Sequence, residues 1–358
     1  MLEPTGAPTE VIPARGTGVR RAASYLTAGE LVAFPTETVY GLGADATNAV
    51  AVREVFTAKG RPLTDPLIVH VSDLGMAEDL GDMSVGGGVA RRLVDAFWPG
   101  PLTVVVPKLL LGSGSAAPYL APEVSMGSTV GLRCPANQVA LDLIHLAGVP
   151  VAAPSANRFG RVSPTTAQHV LDELDGRIRA VLDGGPTTLG VESTVVAFDG
   201  TVVRLLRPGG VPVEDLRALL PEGSLHVSMG TIVASGEVSE SPGTSISHYV
   251  PSVPLVLTDG IPGLADALAV ALRAEGLSVD LIRLPGAEES ARNLYSLLRD
   301  LDADRGDGCR VDVAVVAALD PAGLGRAVND RLFRAAHGHI ERNASRSTVE
   351  RILGRLQG

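Results

Sequence analysis

Aromatic residues are scarce in this 358-residue chain: Phe, Tyr and Trp together make up 3% of it. Its cores therefore have to be packed from Val, Leu, Ala and Ile, which suits α/β layers with buried strands. There are two cysteines, Cys134 and Cys309, too few for a disulfide framework or a zinc cluster, and a reducing compartment fits that count. The opening residues MLEPTGAPTEVIPARG hold no apolar core of a secretory signal. No run of about 18 apolar residues occurs that could span a bilayer. A cytoplasmic protein without membrane contact is expected. Basic charge is also in deficit: 30 Lys+Arg stand against 40 Asp+Glu, a formal net charge of −10. Such a surface argues against broad, non-specific nucleic-acid binding, which depends on many phosphate contacts, and leaves room only for a local basic site.

Two nucleotide-binding signatures are missing or weak. No G-x-x-x-x-G-K-[ST] segment is present, which excludes a Walker-type phosphate loop. Gly41-Leu42-Gly43-Ala44-Asp45-Ala46 loosely matches G-x-G-x-x-A, but the strand it should follow directly ends near Phe34, and it reads better as a Gly-rich turn.

What is present is a rhythm of short aliphatic strands and helices. Residues 1–17 are rich in Pro, Gly and Thr and read as loose. A helix over 19–28 is stopped by Gly29. Strands are expected at 31–35, 66–71, 102–107, 129–134, 150–154, 180–183, 193–198 and 202–207, most of them bounded by Gly or Pro. Asp199-Gly200 signals a hairpin between the last two. Helices are expected over 48–58 and 137–147, and a third opening at Ser163-Pro164 with Ser163 as cap. Alternating β and α with a hairpin implies an α/β fold on a twisted, mixed sheet. The pattern thins after about residue 219. Beyond residue 254 a cleaner β-α-β-α-β-α rhythm predicts a small, doubly wound, Rossmann-like domain. The expected division is a first domain over 1–218, a linker or lid over 219–253 and a second domain over 254–358.

The chemistry-bearing residues gather at element ends. Lys59 and Arg61, pinned by Gly60 and Pro62 where a helix hands over to a strand, suit an anionic ligand. A solvated helix end, where cations favour the dipole, is the alternative. His70 closes the strand PLIV, where a packed histidine is the commoner outcome. Arg133 ends STVGLR, and strand termini of α/β sheets face the crevice where ligands bind. A surface ion pair is its competing explanation. Ser155 and Asn157 follow the strand PVAA, and Ser163 opens a helix whose free N–H groups could hold an anion. Ser193 starts one strand and Arg207 ends another. This set holds no catalytic triad, metal cluster or carboxylate pair. It suits positioning and charge neutralisation around a nucleotide, as in phosphoryl or nucleotidyl transfer with Mg²⁺ carried on the phosphates.

The segments PTETVYGLGADA, KGRP, PLIVHV, WPGPLTVVV, STVGLRCP, PSAN, SPT, GVEST and LLRPG, in that order over about residues 19–217, resemble the threonylcarbamoyl-AMP synthase family with its YrdC-like fold. ESARNLYSLLRDLDA and GLGRAVNDRLFRAA are similar to the C-terminal domain of its long, two-domain form. The resemblance implies an L-threonylcarbamoyladenylate synthase, a nucleotidyltransferase that condenses L-threonine, bicarbonate and ATP to threonylcarbamoyl-AMP and pyrophosphate. A separate tRNA threonylcarbamoyltransferase then receives the product. It further implies that Thr36, His70, Arg133, Ala153 and Ser193 hold threonine. Lys59, Arg61, Asp65, Thr129, Ser155, Asn157, Ser163, Arg207 and Tyr249 would hold ATP, with Lys59 and Arg61 catalytic. Two departures stand out. The family's linker commonly reads S-P-G-M-K-Y-R-H-Y-A-P, and here it is SPGTSISHYVP, with two fewer cations and one fewer phenol. Asp65 stands where Asn is common, so it is expected to face Mg²⁺, an arginine or solvent. A carbamoyltransferase of hydrogenase maturation is the rival enzyme, but it would need zinc-finger cysteines and an acylphosphatase module that this chain lacks. An RNA-binding module is the rival from another class.

Overall fold

The computed structural model describes residues 7–109, 119–227, 249–301 and 311–356. Cys309 and the linker residues 241–248 lie outside them. The described residues form two units: one holds everything up to residue 227 except 160–162, and the other holds 160–162 with the residues from 249 onward.

The first unit is built on one mixed sheet. Its strands are β1 (Glu10–Pro13), β2 (Val32–Pro35), β3 (Tyr40–Asp45), β4 (Ile68–His70), β5 (Leu102–Pro107), β6 (Thr129–Arg133), β7 (Val151–Ala152), β8 (Ala180–Asp183), β9 (Thr194–Asp199), β10 (Val202–Arg207) and β11 (Leu225–Val227). They lie in the order β1-β8-β2-β3-β7-β4-β6-β5-β9-β10-β11. Parallel and antiparallel pairs alternate irregularly: β4 runs parallel to β6, β6 antiparallel to β5, and β5 parallel to β9.

Strand alternation sorts side chains onto two faces. On one face Leu42, Val69, Val104, Leu132, Val196 and Val203 join the main core beneath helices 49–59, 89–97 and 213–219. On the other, Val32, Phe34, Val151, Ala180 and Leu182 pack under helices 18–27 and 138–147. That second cover stops short of β5 and β9. There Val105, Val195 and Ala197 form a small cluster of their own, joined by Leu206, to which no described helix contributes. The same side of β4, β6, β5 and β9 carries Ile68, His70, Thr103, Thr129, Gly131, Arg133 and Ser193, by alternation with the core residues.

Several expectations change. Residues 10–13 are not loose; they form an edge strand parallel to β8. The Gly41–Asp45 turn is β3, antiparallel to β2 and β7. Its glycines serve packing: a Cβ on Gly43 would come within 2.9 Å of the Phe34 ring and 3.0 Å of Val151. Ser163 caps nothing, because the helix begins at Ala167 with Thr166 as its cap, its side chain accepting from His169 N. Leu225–Val227, within the segment read as linker, adds to the sheet beside β10.

The second unit has a parallel sheet of β12 (Leu255–Thr258), β13 (Val279–Ile282) and β14 (Val313–Ala317) in the order β12-β14-β13. Helices 264–274, 287–300 and 325–335 follow the strands in turn, and a further helix over 346–356 packs with the first of them in one core. This is the doubly wound pattern expected beyond residue 254, with an unforeseen last helix.

Candidate functional site

Helix 49–59 delivers the first cation. Asn48 caps its start, accepting from Val50 N and Ala51 N, and Gly60 ends it at φ +66, a conformation that costs glycine little. Lys59 is turned inward and 3% exposed. Its Nζ donates to the main-chain oxygens of Ser155, at 2.6 Å, and Asn157. Burial, then the Arg61 charge, lower its pKa well below the usual lysine range. Arg61 folds back on the turn it opens: Nε donates to Asp65 O at 3.0 Å and Nη2 to Pro66 O at 2.8 Å. The Asp65 carboxylate lies 3.0 Å from Nη2. Asp65 thus faces an arginine. Burial raises its pKa, opposed by Arg61, Lys59 and Arg207.

A second group crosses the sheet. His70 and Arg133 are register partners at the ends of β4 and β6. His70 is 3% exposed, its Nδ1 has no hydrogen-bond partner, and the Phe34 ring meets it edge-on. Burial, then Arg133, push its pKa down to about 3, so the imidazole is neutral. Arg133 Nη2 donates to Glu37 Oε1 at 2.7 Å and to Thr38 Oγ1 at 2.9 Å. Thr38 Oγ1 lies 2.7 Å from Thr36 Oγ1, which also donates to Val39 O. Ala153, after β7, is buried beside Gly41, a Cβ on which would approach it to 3.3 Å.

A third group sits between β9 and β10. Arg207 donates from Nη2 to Ser193 Oγ at 3.1 Å and to Ser193 O at 3.0 Å. Ser193 Oγ shares a 2.8 Å hydrogen bond with Thr103 Oγ1 on β5. The backbone here is tightly stacked. A Cβ on Gly209 would lie 2.3 Å from Ser193 C and 2.4 Å from Glu192 O. Ser163 Oγ donates to Glu192 Oε1 at 2.7 Å, and both residues are buried. Thr129, at the start of β6, lines a hollow with Ile68, Thr103, Val105, Gly131 and Val195.

The structure therefore brings together Lys59, Ser155 and Asn157 through direct bonds, and Arg61 with Asp65. It sets His70 beside Arg133, joins Arg133 through Thr38 to Thr36, and links Ser193 with Arg207. Tyr249 belongs to the second unit. It is 1% exposed at φ +64, stacked on Tyr295 with ring centres 5.5 Å apart, and the Arg331 guanidinium lies over its ring. Four residues with no assigned part in the sequence reading belong to the network: Glu37, Thr38, Thr103 and Glu192. The one signal available in the sequence is general: an arginine ending a buried strand needs a counter-charge, which does not single out Glu37 among the carboxylates.

Among the described residues no group of three or more His, Cys, Asp or Glu side chains could hold a metal ion. No described helix is long and apolar enough to cross a membrane. What the arrangement offers is buried donors, hydroxyls and cations set around strand ends. Such a set fixes and neutralises anionic groups better than it performs covalent chemistry.

Comparison with known proteins matches both units. The family described as "Telomere recombination" matches residues 24–209, and that described as "Threonylcarbamoyl-AMP synthase, C-terminal domain" matches residues 211–337. The threonylcarbamoyl-AMP synthase of Bacillus subtilis is 38% identical over 353 residues, covering 93% of this chain and 97% of that protein. That of Pyrococcus abyssi is 38% identical over 336 residues, covering 89% and 94%. The crystal structure of P. abyssi Sua5 complexed with L-threonine superposes with a TM-score of 0.83 at 36% identity, covering 93% of this chain and 99% of that one. With matches at this level running through both units, the chain belongs to the threonylcarbamoyl-AMP synthase family.

Proposed function

We propose that the chain is an L-threonylcarbamoyladenylate synthase, joining L-threonine, bicarbonate and ATP into threonylcarbamoyl-AMP with release of pyrophosphate. The observation that carries this reading is the band of buried polar side chains at the ends of β4, β6 and β9, with Lys59 and Arg61 on the adjoining turn. Family membership supports it along nearly the whole chain.

In this reading the threonine amine attacks bicarbonate, or the CO₂ derived from it, and forms a carbamate with loss of water. A carbamate oxygen then attacks the α-phosphorus of ATP. The bond from that phosphorus to the bridging oxygen breaks, and pyrophosphate leaves with the electron pair. Arg133 takes the substrate carboxylate, and neutral His70, Thr36, Ala153 and Ser193 shape the amino-acid pocket. A pocket that hydrogen-bonds the threonine hydroxyl rejects analogues lacking it far more strongly than a pocket that senses one methyl. Lys59, Arg61, Asp65, Thr129, Ser155, Asn157, Ser163 and Arg207 serve ATP. Two of the three ammonium donors of Lys59 are taken by Ser155 O and Asn157 O, which leaves one for phosphate. An arriving triphosphate raises the Lys59 pKa and holds the charged form. Asp65 keeps Arg61 oriented and lowers the local positive charge.

Mg²⁺ is proposed only as the cation carried by ATP, since the nearby carboxylates Asp65 and Glu192 are already engaged by Arg61 and Ser163. The enzyme works in the cytoplasm and passes its product to a separate tRNA threonylcarbamoyltransferase, with at most weak tRNA contact of its own.

The test is pyrophosphate release from ATP with purified protein. Release should require both threonine and bicarbonate. Release that continues when threonine is omitted would contradict the assignment.

A further inference from the structure

Glu37 has no place in the reading given so far, yet both its carboxylate oxygens and its main-chain oxygen take part in the first unit's polar network. It sits in the turn between β2 and β3, with its side chain 11% exposed. Oε1 accepts from Arg133 Nη2 at 2.7 Å, and Oε2 accepts from Ala136 N at 3.1 Å. Its main-chain oxygen accepts from Leu189 N at 2.8 Å. One residue therefore fastens three segments: the β2–β3 turn, the turn after β6 and the loop before β9.

The consequence falls on Arg133. A guanidinium has five N–H donors in a fixed fork. Both hydrogens of Nη2 are used, one on Glu37 and one on Thr38. Nε is buried and has no hydrogen-bond partner, in a residue that is only 4% exposed. A buried donor without an acceptor is costly, and one that persists in a folded protein calls for an explanation such as a functional role. Glu37 thus fixes the plane of the guanidinium and decides which of its donors stay available.

We propose that Glu37 is the positioning residue for recognition of the amino-acid carboxylate: it anchors Arg133 through Nη2 so that the remaining donors face the bound α-carboxylate. This rests on the reading that Arg133 receives that carboxylate. Glu37 also balances the charge of Arg133 before substrate arrives, so the site holds a preformed ion pair rather than a lone buried cation. Without Glu37 the side chain keeps its charge but loses its orientation.

Threonine binding by titration calorimetry and steady-state kinetics test this together. Glu37→Ala should weaken threonine binding and raise KM for threonine by about 10- to 100-fold, the scale of a misplaced binding group. KM for ATP should stay within about twofold, because the ATP-facing residues do not touch Glu37. Glu37→Gln keeps an acceptor for Nη2 but sets an amide against Ala136 N–H, so its loss should be intermediate. In an Arg133→Ala background, Glu37→Ala should add no further loss. A Glu37→Ala effect of equal size with and without Arg133, or an equal rise in both KM values, would overturn the inference and leave Glu37 a structural brace. Should Glu37→Ala fail to fold, Glu37→Gln carries the same cycle. Wild-type protein that does not bind threonine at all would sink the functional reading itself. Threonine binding that neither Glu37 variant alters would sink only this inference.

Discussion

Lys59 Nζ lies 2.6 Å from the main-chain oxygen of Ser155, and that bond ties the end of helix 49–59 to the loop after β7. A second bond runs the other way along the same seam, from Phe159 N to Lys59 O at 2.8 Å. A buried ammonium that donates to two carbonyls is costly to desolvate, and its lowered pKa is the sign of that cost.

Lys59→Met should therefore separate folding from function. Removing the buried charge relieves desolvation, while the two carbonyls lose a donor at about 1–3 kcal/mol each before relaxation. The two effects oppose, and chemical unfolding should show a net change within about 2 kcal/mol. Turnover should fall by at least about 100-fold, the scale of losing one donor to a transition-state charge. Wild-type turnover in a folded variant would remove Lys59 from the site.

Gly131 supplies a second separation. Its position on β6 faces the hollow lined by Thr129, Thr103 and Val195, away from the main core. A Cβ there would meet Thr103 Cγ2 at 3.4 Å and Ile68 Cγ1 at 3.7 Å, which are ordinary contacts. Gly131→Ala should fold well, and Gly131→Val suits a strand. Both should narrow the hollow, Val more than Ala. The expected result is a melting temperature near that of wild type, with KM for ATP rising in the order Gly, Ala, Val. An unchanged KM in a folded Gly131→Val protein would place the nucleotide elsewhere.

Strand ends were legible in the sequence because Val- and Leu-rich runs stop at Gly, Pro or a charge, as at Arg133 and Arg207. The cations they carry could be picked out one by one. β3 was not legible, since Gly41 and Gly43 look like turn residues unless the Phe34 ring that excludes a side chain at Gly43 is known. Ser163 looked like a cap because Pro164 follows it, while its hydroxyl in fact serves Glu192, 29 residues further on. Glu37 and Arg133 lie 96 residues apart, and nothing local in either segment announces the pair. Local chemistry names candidate ligands; the counter-charges that orient them appear only once the sheet order is known.

Gly209 should be intolerant of even one methyl. A Cβ there would sit 2.3 Å from Ser193 C and 2.4 Å from both Glu192 O and Thr194 N, all main-chain atoms that cannot swing aside. Gly209→Ala must push the turn after β10 away from β9, and Arg207 with it. Overpacking of this kind costs about 1–3 kcal/mol. Urea unfolding should show that loss, and pyrophosphate release should fall with it. A variant as stable as wild type would mean the turn relaxes without strain.

His70 gives a pH signature with a definite sign. Unfolded, the imidazole takes a proton near its ordinary pKa of about 6.5. Folded, burial and Arg133 hold it neutral down to about pH 3. Between those values the unfolded chain binds the extra proton, so this group makes stability rise with pH and fall as the solution is acidified. From pH 7 to pH 5 its share of the loss is about 2 kcal/mol, at 1.36 kcal/mol per pKa unit. His70→Phe, which keeps an aromatic ring against Phe34, should lose that much less stability over the same interval. Denaturant unfolding of both proteins at the two pH values measures the difference. Parallel losses in the two proteins would mean that His70 is protonated in the folded state, and that Arg133 does not share its pocket with a neutral ring.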